Sequence, residues 1–86
     1  MRGMFPLYDN YYNNQTPLYR QRLTMQQAQE IALQRVPGQV LHVDMYMEHG
    51  VLVYEFFILT NQNRIYEVEI NAKTGKILKV EEEDLD

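Results

Sequence analysis

The spacing of apolar residues changes at Pro37-Gly38, and this change restricts the possible folds of the chain more than any other feature. After Gly38 every second residue tends to be apolar, which is the period of a β-strand. Before Pro37 the apolar residues recur at the 3.6-residue period of a helix: Met25, Ala28, Ile31, Ala32 and Val36. The sequence therefore predicts one helix followed by strands, an α+β chain.

The ends of the helix are marked by capping residues. Thr24 and Gln27 have the spacing of a capping box, in which each side chain accepts a hydrogen bond from a backbone N–H that the helix leaves unpaired. Pro37 disfavours helical geometry at the preceding residue, and Gly38 can adopt a positive φ. We predict a helix from Met25 to Arg35.

Turn residues divide the rest of the chain into a meander of antiparallel strands. His49-Gly50 predicts a two-residue hairpin loop. Between the second and third strands we predict a three-residue loop, 61–63, because a two-residue loop would turn Glu67 and Glu69 into the core. A last turn over 71–75 precedes a short strand from Lys76 to Val80.

This register gives the sheet an apolar inner face toward the helix. The first strand contributes Leu41, Val43, Met45 and Met47, which lie opposite Ile58, Phe56, Tyr54 and Leu52 respectively. Met25, Met45 and Met47 are predicted to fill the core, because methionine adapts to irregular gaps. The predicted fold is α+β: one N-terminal helix packed on one face of a three- to four-stranded antiparallel meander.

The outer face of the predicted sheet combines charge and apolar area. Its apolar part also includes Val40, and the candidate partner surface consists of Tyr46, Val53, Phe57, Leu59, Ile65, Asp44, Glu55 and Glu69. The three acids form a cross-strand row of like charges. So large an apolar face predicts a cover, for which the N-terminal arm, a second copy in a homodimer and another protein are alternatives. A flat face would coordinate a cation poorly, and no metal site is predicted.

Composition bounds the domain organisation and the localisation. The 86 residues suffice for one domain over 23–80, between a Tyr- and Asn-rich arm, 1–22, and an acidic tail, 81–86, interpreted as a frayed terminus. No apolar run reaches the ~18 residues of a transmembrane helix. The first twenty residues lack a secretory signal, which predicts a cytoplasmic location as written and an extracytoplasmic one if a signal was removed.

Charge and residue types exclude several function classes. The net charge is -4, but five of the twelve acids lie in the last six positions, so the body is close to neutral and nucleic acid is not an expected partner. The chain has no cysteine. Its histidines, His42 and His49, fall on the outer face and in a turn, with no catalytic set around them. We predict no enzymatic activity, no catalytic residues and no cofactor.

Three segments in order resemble the PepSY family, the domain of metallopeptidase propeptides and of the germination protein YpeB. They read AQEIALQRVPG, VLVYEFFILT and RIYEVEINAKTGKIL, within Leu23 to Glu81. Asn71 stands where family members usually have aspartate, and both side chains can hold the same turn. The resemblance implies a PepSY/cystatin-like fold and a non-enzymatic domain that binds or restrains peptidases.

Two function classes follow from these features. The first is a protein-interaction module whose partner is a peptidase or a larger assembly, bound through the outer sheet face or a sheet edge. The alternative is a self-associating structural protein, because the Tyr- and Asn-rich arm is similar in composition to coat or matrix proteins.

Overall fold

A computed structural model describes residues 22–84, which form one helix and one four-stranded antiparallel sheet. The strands follow one another in the sheet in chain order. The elements are α1 (Met25–Arg35), β1 (Gln39–Glu48), β2 (Val51–Leu59), β3 (Ile65–Asn71) and β4 (Ile77–Glu83). The α+β meander is confirmed. The predicted N-terminal arm, apart from Arg22, and the last two residues lie outside the described part of the chain.

The helix begins and ends at the predicted residues because both halves of the capping box form. Thr24 Oγ1 accepts a hydrogen bond from Gln27 N at 3.1 Å, and Gln27 Oε1 accepts one from Thr24 N at 2.9 Å. Val36 leaves helical geometry, although its N–H still donates to the Ala32 carbonyl at 2.8 Å. Gly38 then passes so close to β2 that a Cβ would lie 2.3 Å from the Leu59 carbonyl oxygen.

Hydrogen bonds just before the helix tie it to the sheet. Leu23 N donates to the Ala72 carbonyl at 2.6 Å, and the Tyr54 hydroxyl donates to the Leu23 carbonyl at 2.9 Å. The buried Ala28 and Ala32 then face the middle strands, β2 and β3. Small side chains at these two positions let the helix approach the sheet closely.

Both predicted hairpin loops are confirmed. His49 (φ 51°) and Gly50 (φ 79°) form the two-residue loop, with Glu48 opposite Val51. In the second loop Asn63 N donates to the Thr60 carbonyl at 3.0 Å, and Asn63 adopts a left-handed φ of 65°. The resulting pairs are those predicted: Tyr54 with Ile70, Phe56 with Val68, and Ile58 with Tyr66.

A β-bulge in β1 makes one predicted pair wrong. Val43, Met45 and Met47 lie opposite Phe56, Tyr54 and Leu52 as predicted, but Val40 and not Leu41 lies opposite Ile58. The register shift between Val40 and His42 leaves Leu41 without a partner in the ladder. Val40 therefore packs against the core, not on the outer face where the sequence placed it.

The prediction that three methionines fill the core is also wrong. Met25, Met45 and Met47 are exposed, Met47 by 63%. For Met45 and Met47 the cause is the position of α1, which packs mainly on β2 and β3 and leaves the inner face of β1 partly uncovered. The core consists instead of Ala28, Ala32, Val36, Tyr54, Phe56, Ile58, Val68, Ile70 and Ala72.

The last strand extends beyond its predicted end at Val80. Glu81 lies opposite Glu67, and Glu83 lies opposite Ile65. The interpretation of the acidic tail as a frayed terminus is therefore wrong for 81–83, which are strand residues. Alternation holds through the acidic run, so it places Glu81 and Glu83 on the outer face and Glu82 on the inner one.

We expect Phe56→Ala to unfold most of the protein. Phe56 is 0% exposed at the centre of the core. Its truncation should lower the free energy of unfolding by about 3–5 kcal/mol, comparable with the whole stability of a small domain. Urea denaturation followed by circular dichroism measures this change. Met47→Ala is the matched control and should cost less than about 1 kcal/mol, because the side chain is exposed. Equal losses in the two variants would contradict the assigned core.

Candidate functional site on the outer sheet face

The predicted acidic row exists on the outer face. Asp44 lies opposite Glu55 across β1 and β2, and Glu55 lies opposite Glu69 across β2 and β3. Asp44 is exposed on the edge strand β1, whereas only 12% of the Glu69 side-chain surface is exposed. Like charges directly opposite one another oppose sheet pairing, so the row needs compensation from its neighbours.

The apolar half of the candidate surface is smaller than the sequence predicts. Val53 lies on the outer face opposite Tyr46 but is 1% exposed, so no partner can contact it. Phe57, Leu59 and Ile65 are on the same face and are half-buried. These three residues and the half-buried Tyr46, with the acidic row, are the part of the predicted surface that remains available for contact.

Tyr46 connects the apolar and acidic parts of the face. Its hydroxyl donates a hydrogen bond to Glu69 Oε2 at 3.1 Å. Burial raises the pKa of the Tyr46 hydroxyl, and the hydrogen bond and negative charge of Glu69 raise it further. The phenol therefore stays protonated and acts as a neutral donor to a carboxylate.

Sequence reasoning did not place β4 residues in this cluster. Lys79 Nζ lies 3.1 Å from Glu81 Oε1, 3.3 Å from Glu67 Oε1 and 3.9 Å from Glu69 Oε2. These contacts raise the pKa of the Lys79 ammonium, first through its hydrogen bond to Glu81. The available signal was the alternation of Lys79, Glu81 and Glu83, which continues the strand period through the acidic run.

Glu55 and Glu67 form a carboxyl–carboxylate pair at the centre of the cluster. Glu67 is buried within this cluster, with 7% of its surface exposed. The pKa of Glu55 is raised to about 7, first by the hydrogen bond between the two carboxyls and then by burial and the charges of Glu67, Glu69 and Asp44. The same hydrogen bond holds the pKa of Glu67 far below its ordinary value. One proton is therefore shared by this pair near neutral pH.

Three sets of side chains on this face bring possible metal-ligating atoms within 4.8 Å of one another. They are His42, Asp44 and Glu55; Glu55, Glu67 and Glu69; and Glu67, Glu81 and Glu83. The central set already holds a hydrogen bond between Glu55 and Glu67 and the Lys79 ammonium. Calcium takes six to eight oxygen ligands, and side chains that project from a flat sheet face surround a cation poorly. We assign no metal site to them.

Beside the acidic row lies a shallow apolar depression of about 300 Å³. Its lining consists of Leu41, His42, Phe57, Ile65 and Glu83. The His42 and Phe57 rings lie 5.5 Å apart, centroid to centroid, at a tilt of 37°. A larger and more polar depression at the end of the sheet lies around the Arg64–Glu82 ion pair, whose atoms are 2.6 Å apart. Both depressions are open to solvent. This shape suits contact with the surface of another protein better than the enclosure of a small substrate.

The comparisons with known proteins agree with the fold. The family model PepSY, described as "Peptidase propeptide and YPEB domain", matches residues 22–81. The uncharacterized protein YkoJ of Bacillus subtilis (strain 168) is 39% identical over 62 residues, 72% of this chain and 36% of YkoJ. The crystal structure of a presumed lipoprotein from Clostridium difficile 630 superposes with a TM-score of 0.69 at 33% identity.

That alignment covers 73% of this chain and 41% of the lipoprotein. The chain thus spans less than half the length of either relative. No helix among residues 22–84 is long and apolar enough to cross a membrane.

We expect Glu55→Gln to change how stability depends on pH. Because the Glu55 pKa is higher in the folded protein than in the unfolded chain, its stabilising effect is complete below about pH 4.5 and is lost as pH rises through about 7. Glutamine cannot titrate and can still donate to Glu67. At pH 8 the variant should therefore be more stable than the parent by about 1–3 kcal/mol.

Urea denaturation at pH 5, 6, 7 and 8 tests this expectation. Glu30→Gln, on the exposed side of the helix, is the control and should keep the parent's pH profile. Parallel profiles for the parent and Glu55→Gln would show that the two carboxyls share no proton.

Proposed function

The chain belongs to the PepSY family, and from this premise we propose that it is a non-enzymatic protein-interaction module that binds or restrains a peptidase or a larger assembly. The family description names peptidase propeptides, which supports a peptidase as the partner. The match covers only 36% of the curated relative and 41% of the solved neighbour, so the proposal concerns the domain and not the whole of those proteins.

One observation carries the proposal: the outer face has far more negative than positive charge. Among the described strands its carboxyl groups include Asp44, Glu55, Glu67, Glu69, Glu81 and Glu83. Lys79 is the cation that contacts them, and it is shared by three of these carboxylates. A partner that supplies Lys or Arg side chains would relieve this repulsion, which gives both affinity and selectivity.

The same negative charges argue against self-association of the chain through its outer face. A two-fold dimer through this surface would bring identical acidic rows toward each other. Like charges at an interface cost several kcal/mol. They would equally repel the phosphates of nucleic acid. A foreign protein with a basic surface fits better than a second copy.

We also propose that the protein acts outside the cytoplasm. The support is the solved neighbour, which is described as a presumed lipoprotein and is 33% identical to this chain. A reporter fusion that is active only outside the cytoplasm, such as alkaline phosphatase, tests this placement when it is attached to the full-length natural protein. Activity confined to the cytoplasm would contradict it.

The full chain is expected to be a monomer of about 10.3 kDa in solution. Multi-angle light scattering after size exclusion, at several protein concentrations, measures the mass directly. A mass near twice this value that returns to the monomer value in Phe57→Glu would favour the self-associating alternative, because Phe57 lies on the outer face.

Site-specific photo-cross-linking tests the partner. A photoreactive amino acid at the exposed His42 of the outer face is compared with one at the exposed Gln34 of the helix. We expect cross-links from position 42 alone, to a protein other than this chain, identified by mass spectrometry. Cross-links only between copies of the chain would favour the structural alternative.

The identified partner is then purified and its affinity measured by titration calorimetry. Asp44→Lys should weaken binding at least about tenfold, which corresponds to about 1.4 kcal/mol. Glu30→Lys makes the same charge change on the helix and should leave the affinity within about twofold. If both variants bind like the parent, the outer face is not the interaction surface.

A further inference from the structure

The β-bulge in β1 places an apolar side chain at the edge of the acidic face. Leu41 has no partner in the ladder, is 48% exposed and lines the depression formed with Phe57 and Ile65. Bulges commonly re-aim a side chain at a functional surface. Without the bulge, alternation would turn Leu41 to the inner face and leave this side of the depression open.

The depression and the acidic row are separated by one step along the strands. Phe57 and Glu55 are two residues apart on β2, so they lie on the same face about 7 Å apart. Asp44 and Glu69 flank Glu55 on the neighbouring strands. An apolar recess and a group of carboxylates are therefore held at a spacing fixed by strand geometry.

We propose that this face recognises an extended segment of a partner protein in which an apolar side chain and an arginine or lysine are separated by one residue. In an extended chain, residues i and i+2 point to the same side at about 7 Å, which matches the spacing of the recess and the acidic row. The inference rests on the proposed function and names the chemistry of the partner.

Each side chain of such a segment meets a suitable surface. The apolar group covers Phe57, Ile65 and Leu41, which are otherwise in contact with water. The cation lies over Glu55, between Asp44 and Glu69. A guanidinium can pair with two carboxylates at once through its planar fork, so arginine should bind more tightly than lysine.

The segment's cation would also displace a proton. Glu55 shares its proton with Glu67, and a positive charge beside Glu55 favours the ionised form. The charged and titratable groups around Glu55 are His42, Asp44 and Tyr46 on β1, Glu67 and Glu69 on β3, and Lys79 on β4. Binding near pH 7 should therefore release a fraction of a proton, which simple coverage of the surface would not.

Synthetic peptides with blocked ends test the inference on the full chain. The probe is a seven-residue threonine peptide that carries leucine and arginine separated by one threonine. In ¹⁵N-labelled protein we expect amide shifts at His42, Glu55 and Phe57. Replacing the probe's leucine with serine, or its arginine with glutamate, should weaken binding at least about tenfold. Calorimetry at pH 7 in two buffers of different ionisation enthalpy should reveal proton release.

Variants of the protein separate the two contacts. Leu41→Ser removes the wall of the recess, and Asp44→Asn removes an exposed carboxylate; each should weaken probe binding by about tenfold. Leu78→Ser, an exposed leucine at the corresponding bulge of β4, and Glu30→Gln are the matched controls and should have no effect. Equal binding of all three peptides, shifts confined to another surface, or no binding at all would overturn the inference.

The failure of this inference is distinguishable from the failure of the proposed function. A partner that cross-links at position 42 through a segment without the apolar-x-basic spacing would leave the interaction module in place and reject the recognition rule. The absence of any cross-linked partner at position 42 would instead reject the proposed use of the outer face.

Discussion

The structure depends on the number of residues in the loops on either side of β2. A two-residue loop before this strand and a three-residue loop after it bring Phe56 and Ile58 to the same face as the apolar residues of β1 and β3. A change of one residue in either loop would reverse the faces of the neighbouring strand. In the loop after β2, such a change would bury Glu67 and Glu69 under the helix, at a cost that exceeds the stability of a small domain.

The same parity concentrates the acidic residues on the outer face. Once the inner face is apolar, Asp44, Glu55, Glu67 and Glu69 have no other side to occupy. The protein accommodates them through the shared proton of Glu55 and Glu67 and through the Lys79 ammonium. The face therefore remains folded but keeps an unbalanced negative charge, which is the property on which the proposed partner recognition depends.

Bulges and helix position then decide which apolar residues are exposed. The bulges leave Leu41 in β1 and Leu78 in β4 without a partner in the ladder, and both side chains are exposed. Such irregularities also interrupt the unpaired edges of the sheet, which lowers the tendency of copies to pair edge to edge. The short helix packs mainly on β2 and β3, and this leaves Met45 and Met47 in contact with solvent.

The sequence by itself determined the local and periodic features of this protein. The capping box at Thr24 and the register around His49-Gly50 follow from short-range chemistry, and the acidic row follows from the alternation of side chains along paired strands. Only the tertiary structure decided the bulge at Leu41, the continuation of β4 to Glu83, the burial of Val53 and the exposure of the methionines. These depend on how edge strands pair and on which strands one helix can cover, and neither is encoded in a period of 2 or 3.6 residues.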